Sequence, residues 1–255
     1  ELYLTTAFKF TQTEYSLNST TVTSNPELAA INRAIANGGQ DVGSLSYTLS
    51  YSTLDDNVLP REGISARFTQ EYAGLGFDSN YLKTTAKASY FHMLSESADM
   101  IGQVTVGGGN VFATSGSLSV FDHLYLGEET IRGFDSRGLG PRVFNGTSYV
   151  GAAGGTTYFN GSVEVSAPMP MISRDFGLRF NAFADAATLY GNDISTADFG
   201  GQTLVGADMN WRASVGVGIT WASPFGPLRV YYAEPVVKES YDDVKKFGFG
   251  ASTRF

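Results

Sequence analysis

Between Trp211 and Trp221 the chain sets Trp211, Ala213, Val215, Val217, Ile219 and Trp221 against Arg212, Ser214, Gly216, Gly218 and Thr220. Strand side chains alternate between two faces, so one face of this segment is wholly apolar, and the other is small and mostly polar. The final segment repeats the pattern, with Phe247, Phe249, Ala251 and Phe255 on one face and Gly248, Gly250, Ser252 and Arg254 on the other. Leu45, Tyr47, Leu49 and Tyr51 alternate in the same way with Ser44, Ser46, Thr48 and Ser50. Ile64, Ala66 and Phe68 alternate with Ser65, Arg67 and Thr69, and Val163 and Val165 with Ser162, Glu164 and Ser166. A soluble sandwich buries its apolar face and leaves a charged face in water. Here the polar face is rich in Gly, Ser and Thr, which suits the lumen of a transmembrane barrel whose apolar face meets lipid.

Mean hydropathy, at −0.08, conceals this. No run approaches the ~18 apolar residues of a membrane helix. Aromatics make up 13% of the chain and Gly 30 of 255 residues, a mix suited to tapered strands and interfacial girdles. Cysteine is absent, which removes disulfides and thiolate metal sites. A net charge of −8 argues against a nucleic-acid partner. The chain begins at Glu1 without a Met or a signal-peptide pattern, as a piece of a longer protein would.

Weaker alternation in Leu2–Phe10, Leu82–Tyr90, Ile101–Val106, Leu178–Ala186 and Leu228–Tyr232 brings the total to about ten strands, within the range of outer-membrane barrels. The expected fold is all-β: one up-and-down antiparallel transmembrane β-barrel domain over residues 1–255. Short connections fall at Asp55–Glu62, Leu94–Met100, Ala167–Phe176 and Ala222–Pro227. Long ones fall at Asn18–Asp41, Ala73–Tyr81, Phe112–Tyr158, Gly191–Met209 and Glu234–Lys246. Barrels of this kind keep short turns in the periplasm and long loops outside. Asn25–Ile35 has the composition of either two or three helical turns or an irregular loop.

Inside the longest connection, Ile131-Arg132-Gly133-Phe134 matches without substitution the [Val/Ile]-Arg-Gly-Phe loop motif of the BamA-type outer-membrane assembly family (the insertase and two-partner secretion superfamily). Ala184–Tyr190, with Asp185, resembles that family's acidic strand segment, and Ser223-Pro224-Phe225-Gly226-Pro227-Leu228 its Ser-Pro-x-Gly-Pro turn. The three occur in the family's order across roughly the second half of the chain, and Phe255 resembles the aromatic end of an outer-membrane protein's final strand. Thr253 departs from that terminal signal. The resemblance implies a long loop folded into the lumen and a bacterial outer-membrane location. It further implies insertion of client β-barrel proteins through a lateral seam, here the strand Phe247–Phe255. A TamA-like or two-partner secretion pore is the alternative within the superfamily. The family also carries additional early strands and periplasmic POTRA domains that contact assembly-machinery lipoproteins. Neither is present in this stretch, so the fragment is expected to be inactive alone, either as part of a barrel or as a smaller closed one.

The residues themselves support the infolded loop. Arg132 is a permanently charged planar fork that needs carboxylates when it is held away from bulk water. By alternation Glu164 and Asp185 both face the lumen on later strands, so Arg132 is expected to reach them, with Gly133 turning sharply and Phe134 packing on the lumen wall. Gly248 and Gly250 serve either as kink points in the seam strand or as small residues fitted to the lumen.

No catalytic residue, metal or cofactor is expected. A rim-site enzyme would need His92, placed on the outer face, or His123, beside Asp122, and neighbouring residues on an extended chain point apart. A passive channel would be plugged by the infolded loop. Gly107-Gly108-Gly109 lacks a P-loop Lys and reads as a strand-end bulge. Glu128-Glu129 and Asp242-Asp243 read as solvated loop charges, and Arg67, Lys83 and Lys87 as lumen cations.

Overall fold

The computed structural model describes residues 1–14, 40–57, 59–194, 202–223 and 226–251. Five strands open the chain: β1 (Leu2–Thr13), β2 (Gln40–Ser52), β3 (Gly63–Ala73), β4 (Tyr81–Ser95) and β5 (Met100–Ala113). Short β6 (Gly133–Phe134), β7 (Arg142–Phe144) and β8 (Tyr149–Ala152) lie inside the longest connection. Then follow β9 (Thr157–Pro168), β10 (Leu178–Tyr190), short β11 (Thr203–Val205), β12 (Arg212–Ser223), β13 (Gly226–Val237), short β14 (Val244–Lys245) and β15 (Phe247–Ala251). The ten long strands make one antiparallel sheet in the order β1-β2-β3-β4-β5-β9-β10-β12-β13-β15. Among the described residues β1 and β15 do not pair, so the fragment is an open section of barrel wall and not a small closed barrel.

The faces fall where the alternation puts them. Leu45, Tyr47, Leu49, Tyr51, Val163, Val165, Trp211, Val215, Val217, Ile219 and Trp221 are all exposed, Val217 to 44%. A row of bare aliphatic and aromatic side chains across a whole sheet is a lipid-facing surface. Trp211 and Trp221 stand at its two ends, and ten residues of tilted strand cover about 25 Å of height, that of an outer-membrane apolar band.

The hydrophobic core lies inside the curve of the sheet, at its long-loop end. Ala73, Tyr81, Val111, Ala187 and Leu189 come from the strands; Leu118, Leu124, Leu126, Ile131, Phe134 and Leu139 come from the 114–156 connection. The loop supplies the second layer that a single sheet lacks.

Two local expectations are corrected. Gly107–Gly109 form no bulge; they sit mid-strand in regular register with β4 and β9, and β5 runs on to Ala113. The glycines are small because Asn160, Phe159 and Tyr158 on β9 occupy the space a Cβ would need. Strand β13 extends through Pro235 to Val237 instead of ending near Tyr232. Proline lacks a ladder donor, and a register shift at Ala213/Ser214 lies opposite it. The Asn25–Ile35 stretch, read as either helical turns or an irregular loop, the Pro224-Phe225 turn centre and residues 252–255, with Thr253 and Phe255, lie outside the described residues.

Loop lengths orient the sheet. In intact cells, cysteine at Asp208 should react with an impermeant maleimide and cysteine at Met171, in the short 169–177 connection, should not; the absence of native Cys gives a clean background. The opposite labelling pattern reverses the orientation.

Candidate functional site

Register explains how the lumen wall receives Arg132. On β9 and β10, Ser162 lies opposite Asp185 and Glu164 opposite Phe183, so the inner face presents a Ser–Asp pair beside a Glu–Phe pair. Asp185 accepts a two-pronged bond from the guanidinium, Nε and Nη2 each at 2.7 Å, and also the backbone N–H of Arg132 at 3.1 Å. Nη1 donates to Glu164 at 2.5 Å, and Nη2 reaches Ser162 Oγ at 3.1 Å. Ser162 in turn donates to Asp185, and Asn181 to Glu164. Arg229 on β13 stands 3.6 Å from Glu164, so the second carboxylate is shared between two guanidiniums.

Below the fork lies Phe183, its ring centre 3.3 Å from the guanidinium carbon. A weakly hydrated cation stacks favourably on such a ring. Gly216, opposite Phe183 on β12, is empty of side chain where that ring sits, and Tyr231 meets the ring edge-on at 6.1 Å. Around the fork, Ile131 and Phe134 are fully buried. Gly133 holds φ +95°, a left-handed backbone that an L side chain rarely adopts. This lets the chain turn from the Arg132 clamp into the β6–β14 pairing, Gly133 with Lys245 and Phe134 with Val244.

The seam-strand residues are placed differently. β15 pairs with β13 alone among the described residues, with Phe247 and Phe249 on the exposed face. Gly248 is a matter of lumen fit, because the Tyr231 ring covers it so closely that no Cβ can be accommodated, whereas a Cβ at Gly250 meets open space. Neither Phe247 nor Gly250 touches the Arg132 clamp through any hydrogen bond or ion pair among those described.

Asp122 and His123 are buried and point apart. Asp122 accepts from Ser79 Oγ at 2.9 Å, while His123 Nδ1 contacts the Ser119 carbonyl at 2.8 Å and Nε2 accepts the Asp193 N–H at 3.1 Å. Accepting at one nitrogen and donating at the other requires neutral imidazole. Burial lowers the His123 pKa and raises that of Asp122. The two act as struts of the long loop.

Sequence reasoning missed two further clusters. Asp242, read as a solvated charge, is fully buried and binds Arg212 at 3.0 and 3.1 Å, with Tyr241 Oη as a third partner of the guanidinium. Its neighbour Asp243 pairs with Arg142 at 2.7 Å, and Glu128 with Lys245 at 2.8 Å. At the short-turn end, Asp99 binds both Arg61 and Arg179, at 2.7 and 2.9 Å. The signal for Arg212 was available: it is the one cation on the small inner face of β12.

Comparisons with known proteins place the chain in a family. The model of the Omp85 superfamily domain matches residues 1–255. The chain is 33% identical over 219 residues to outer membrane protein assembly factor BamA of Neorickettsia risticii, covering 86% of this chain and 28% of that protein. It is 27% identical over 218 residues to a SAM50-like protein of Schizosaccharomyces pombe, covering 83% and 44%. Among solved structures, BamA from Haemophilus ducreyi lacking POTRA domains 1–3 superposes with a TM-score of 0.70 at 25% identity, over 82% of this chain and 42% of that one. The chain thus spans under a third of the bacterial relative and under half of the other two.

Proposed function

Because the chain belongs to the Omp85 superfamily, we propose that it is the C-terminal part of the barrel domain of an outer-membrane β-barrel assembly factor. Its clients are other outer-membrane barrel proteins, and its work is insertion and folding without a bond made or broken. Outer-membrane lipid covers the exposed apolar face. Contacts with assembly-machinery lipoproteins belong to POTRA domains, as in longer members of the family.

The observation that carries this reading is the place of β15 at one edge of the sheet, paired with β13 alone among the described residues, beside a loop clamped in the lumen. In hydrocarbon each unsatisfied N–H or C=O costs several kcal/mol. A client strand satisfies that edge by strand addition, gaining its own ladder at the same time. The Arg132 clamp keeps the wall behind the edge rigid and the lumen occupied, so the client is directed along the wall into lipid and not through the pore. The roles of Ile131, Arg132, Gly133 and Phe134 as loop anchor, of Glu164 and Asp185 as its lumen partners, and of Phe247 to Gly250 as seam are part of this proposal, as is that of Phe255 as terminal signal.

The test is reconstitution of the full-length protein in phospholipid vesicles with an unfolded client barrel, followed by protease resistance. Folding is expected to be roughly tenfold or more faster than in empty vesicles, the effect of lowering a barrier by about 1.4 kcal/mol. Equal rates reject the proposal.

A further inference from the structure

The segment just before β15 is anchored to the loop and to the wall on several sides. Asp242 is fully buried against Arg212, and its carboxylate also receives the Glu239 N–H at 2.8 Å. Asp243 gives its N–H to Gly138 and accepts the N–H of Asp135, at 2.8 and 3.0 Å, while its carboxylate pairs with Arg142. Val244 and Lys245 then pair with Phe134 and Gly133, immediately next to clamped Arg132, and Lys245 also binds Glu128. Lys246 accepts the Ala233 N–H at 2.8 Å through its carbonyl. One residue later β15 begins; among the described residues it pairs with β13 alone, over Phe247–Ala251, with Phe247 and Phe249 both exposed and open space around Gly250.

Stability along a chain is local, and segments with few buried contacts open first. We propose that Asp242, Asp243 and Lys245 are positioning residues that hinge β15 at its long-loop end, so that opening of the seam begins toward Ala251 and swings about residues 242–246. The inference rests on β15 being the seam strand. Its geometry makes the Arg132 loop a part of the hinge: β6 carries the clamp on one side and the β14 ladder on the other, so releasing Arg132 loosens the root of β15 without touching the strand. Arg212 anchors the same root from the β12 wall.

Hydrogen exchange on the full-length protein in lipid nanodiscs, without client, tests this independently of the insertion assay. In the parent, protection should fall along β15 from Phe247 to Ala251. Asp242→Asn keeps side-chain shape but removes the charge, and should speed exchange over Val244–Gly248 roughly tenfold or more while leaving β2 to β4 unchanged. Asp243→Asn, whose carboxylate is solvent-accessible, should produce a smaller change at the same residues and serves if Asp242→Asn does not fold. A protection gradient running the other way overturns the hinge. So does a rise spread evenly over the sheet, which is the mark of lost global stability, or no change at Val244–Gly248. Slow insertion by a variant with unaltered β15 exchange would likewise place the defect elsewhere.

Discussion

Arg132→Ala should destabilise the lumen by about 3–5 kcal/mol, less where water enters, because removing one partner of a buried charge cluster strands the others. Two carboxylates, Asp185 and Glu164, both nearly buried, would face each other across Ser162, and among the described ion pairs Arg229, a third exposed, would remain 3.6 Å from Glu164. Arg132→Lys should recover little, since an ammonium cannot give the paired Nε and Nη2 bonds or lie flat on Phe183. A double-mutant cycle with Asp185→Asn, read by denaturant or thermal unfolding, should give coupling well above the ~0–1 kcal/mol of an exposed pair. Glu164→Gln should couple more weakly, because Arg229 and Asn181 remain as partners for the shared site. Additive effects in the Asp185 cycle would mean that the bidentate bond contributes nothing and that the loop is held by Ile131 and Phe134 burial alone. In the insertion assay the same variant should slow client folding; full activity with a mobile loop would detach the clamp from the function proposed for it.

The clamp was legible in the sequence because two independent regularities meet there. Alternation alone puts Glu164 and Asp185 on the inner face, and a guanidinium on the preceding loop has no other inward carboxylates of comparable reach on β9 and β10. What remained hidden depended on register, which composition does not encode. Gly107 to Gly109 broke the apolar alternation of β5, yet they are small because of side chains on a strand roughly fifty residues later. Pro235 carries a rule against central strands, and it lies where the β15 ladder has already ended at Tyr232 and the register with β12 shifts. Asp242 resembled any loop acid until the fold brought Arg212 from the adjacent strand beneath it. Asp99 adopts a positive φ of 49° and joins turns from β2–β3 and β4–β5 to β10, a convergence of three chain segments that no local pattern announces. Periodic faces are a local property and survive in one sequence; ion pairs between loops are a product of topology.

Val217→Arg should cost on the order of 2–4 kcal/mol for folding into a bilayer, the range for a cation at the midplane of a barrel's lipid face. Val217 sits near the middle of β12, between Ala182 and Tyr232 in the register, with its side chain 44% exposed on the apolar surface. Trp211→Arg, at the long-loop end of the same face, should cost distinctly less, because an arginine there can extend its head to the interface. Ser214→Arg makes the opposite comparison: it is buried on the inner face opposite Asp185, so its cost would come from crowding the clamp and would persist in detergent. The Val217 penalty, in contrast, should shrink in detergent micelles, whose apolar layer deforms and admits water around the charge. Folding titrations of the three variants in bilayers and in micelles separate these cases. Equal and negligible effects of Val217→Arg and Trp211→Arg in bilayers would show that the exposed face of β12 is not in lipid, and the seam, the clamp behind it and the strand-addition mechanism would lose the environment that gives an unpaired strand edge its driving force.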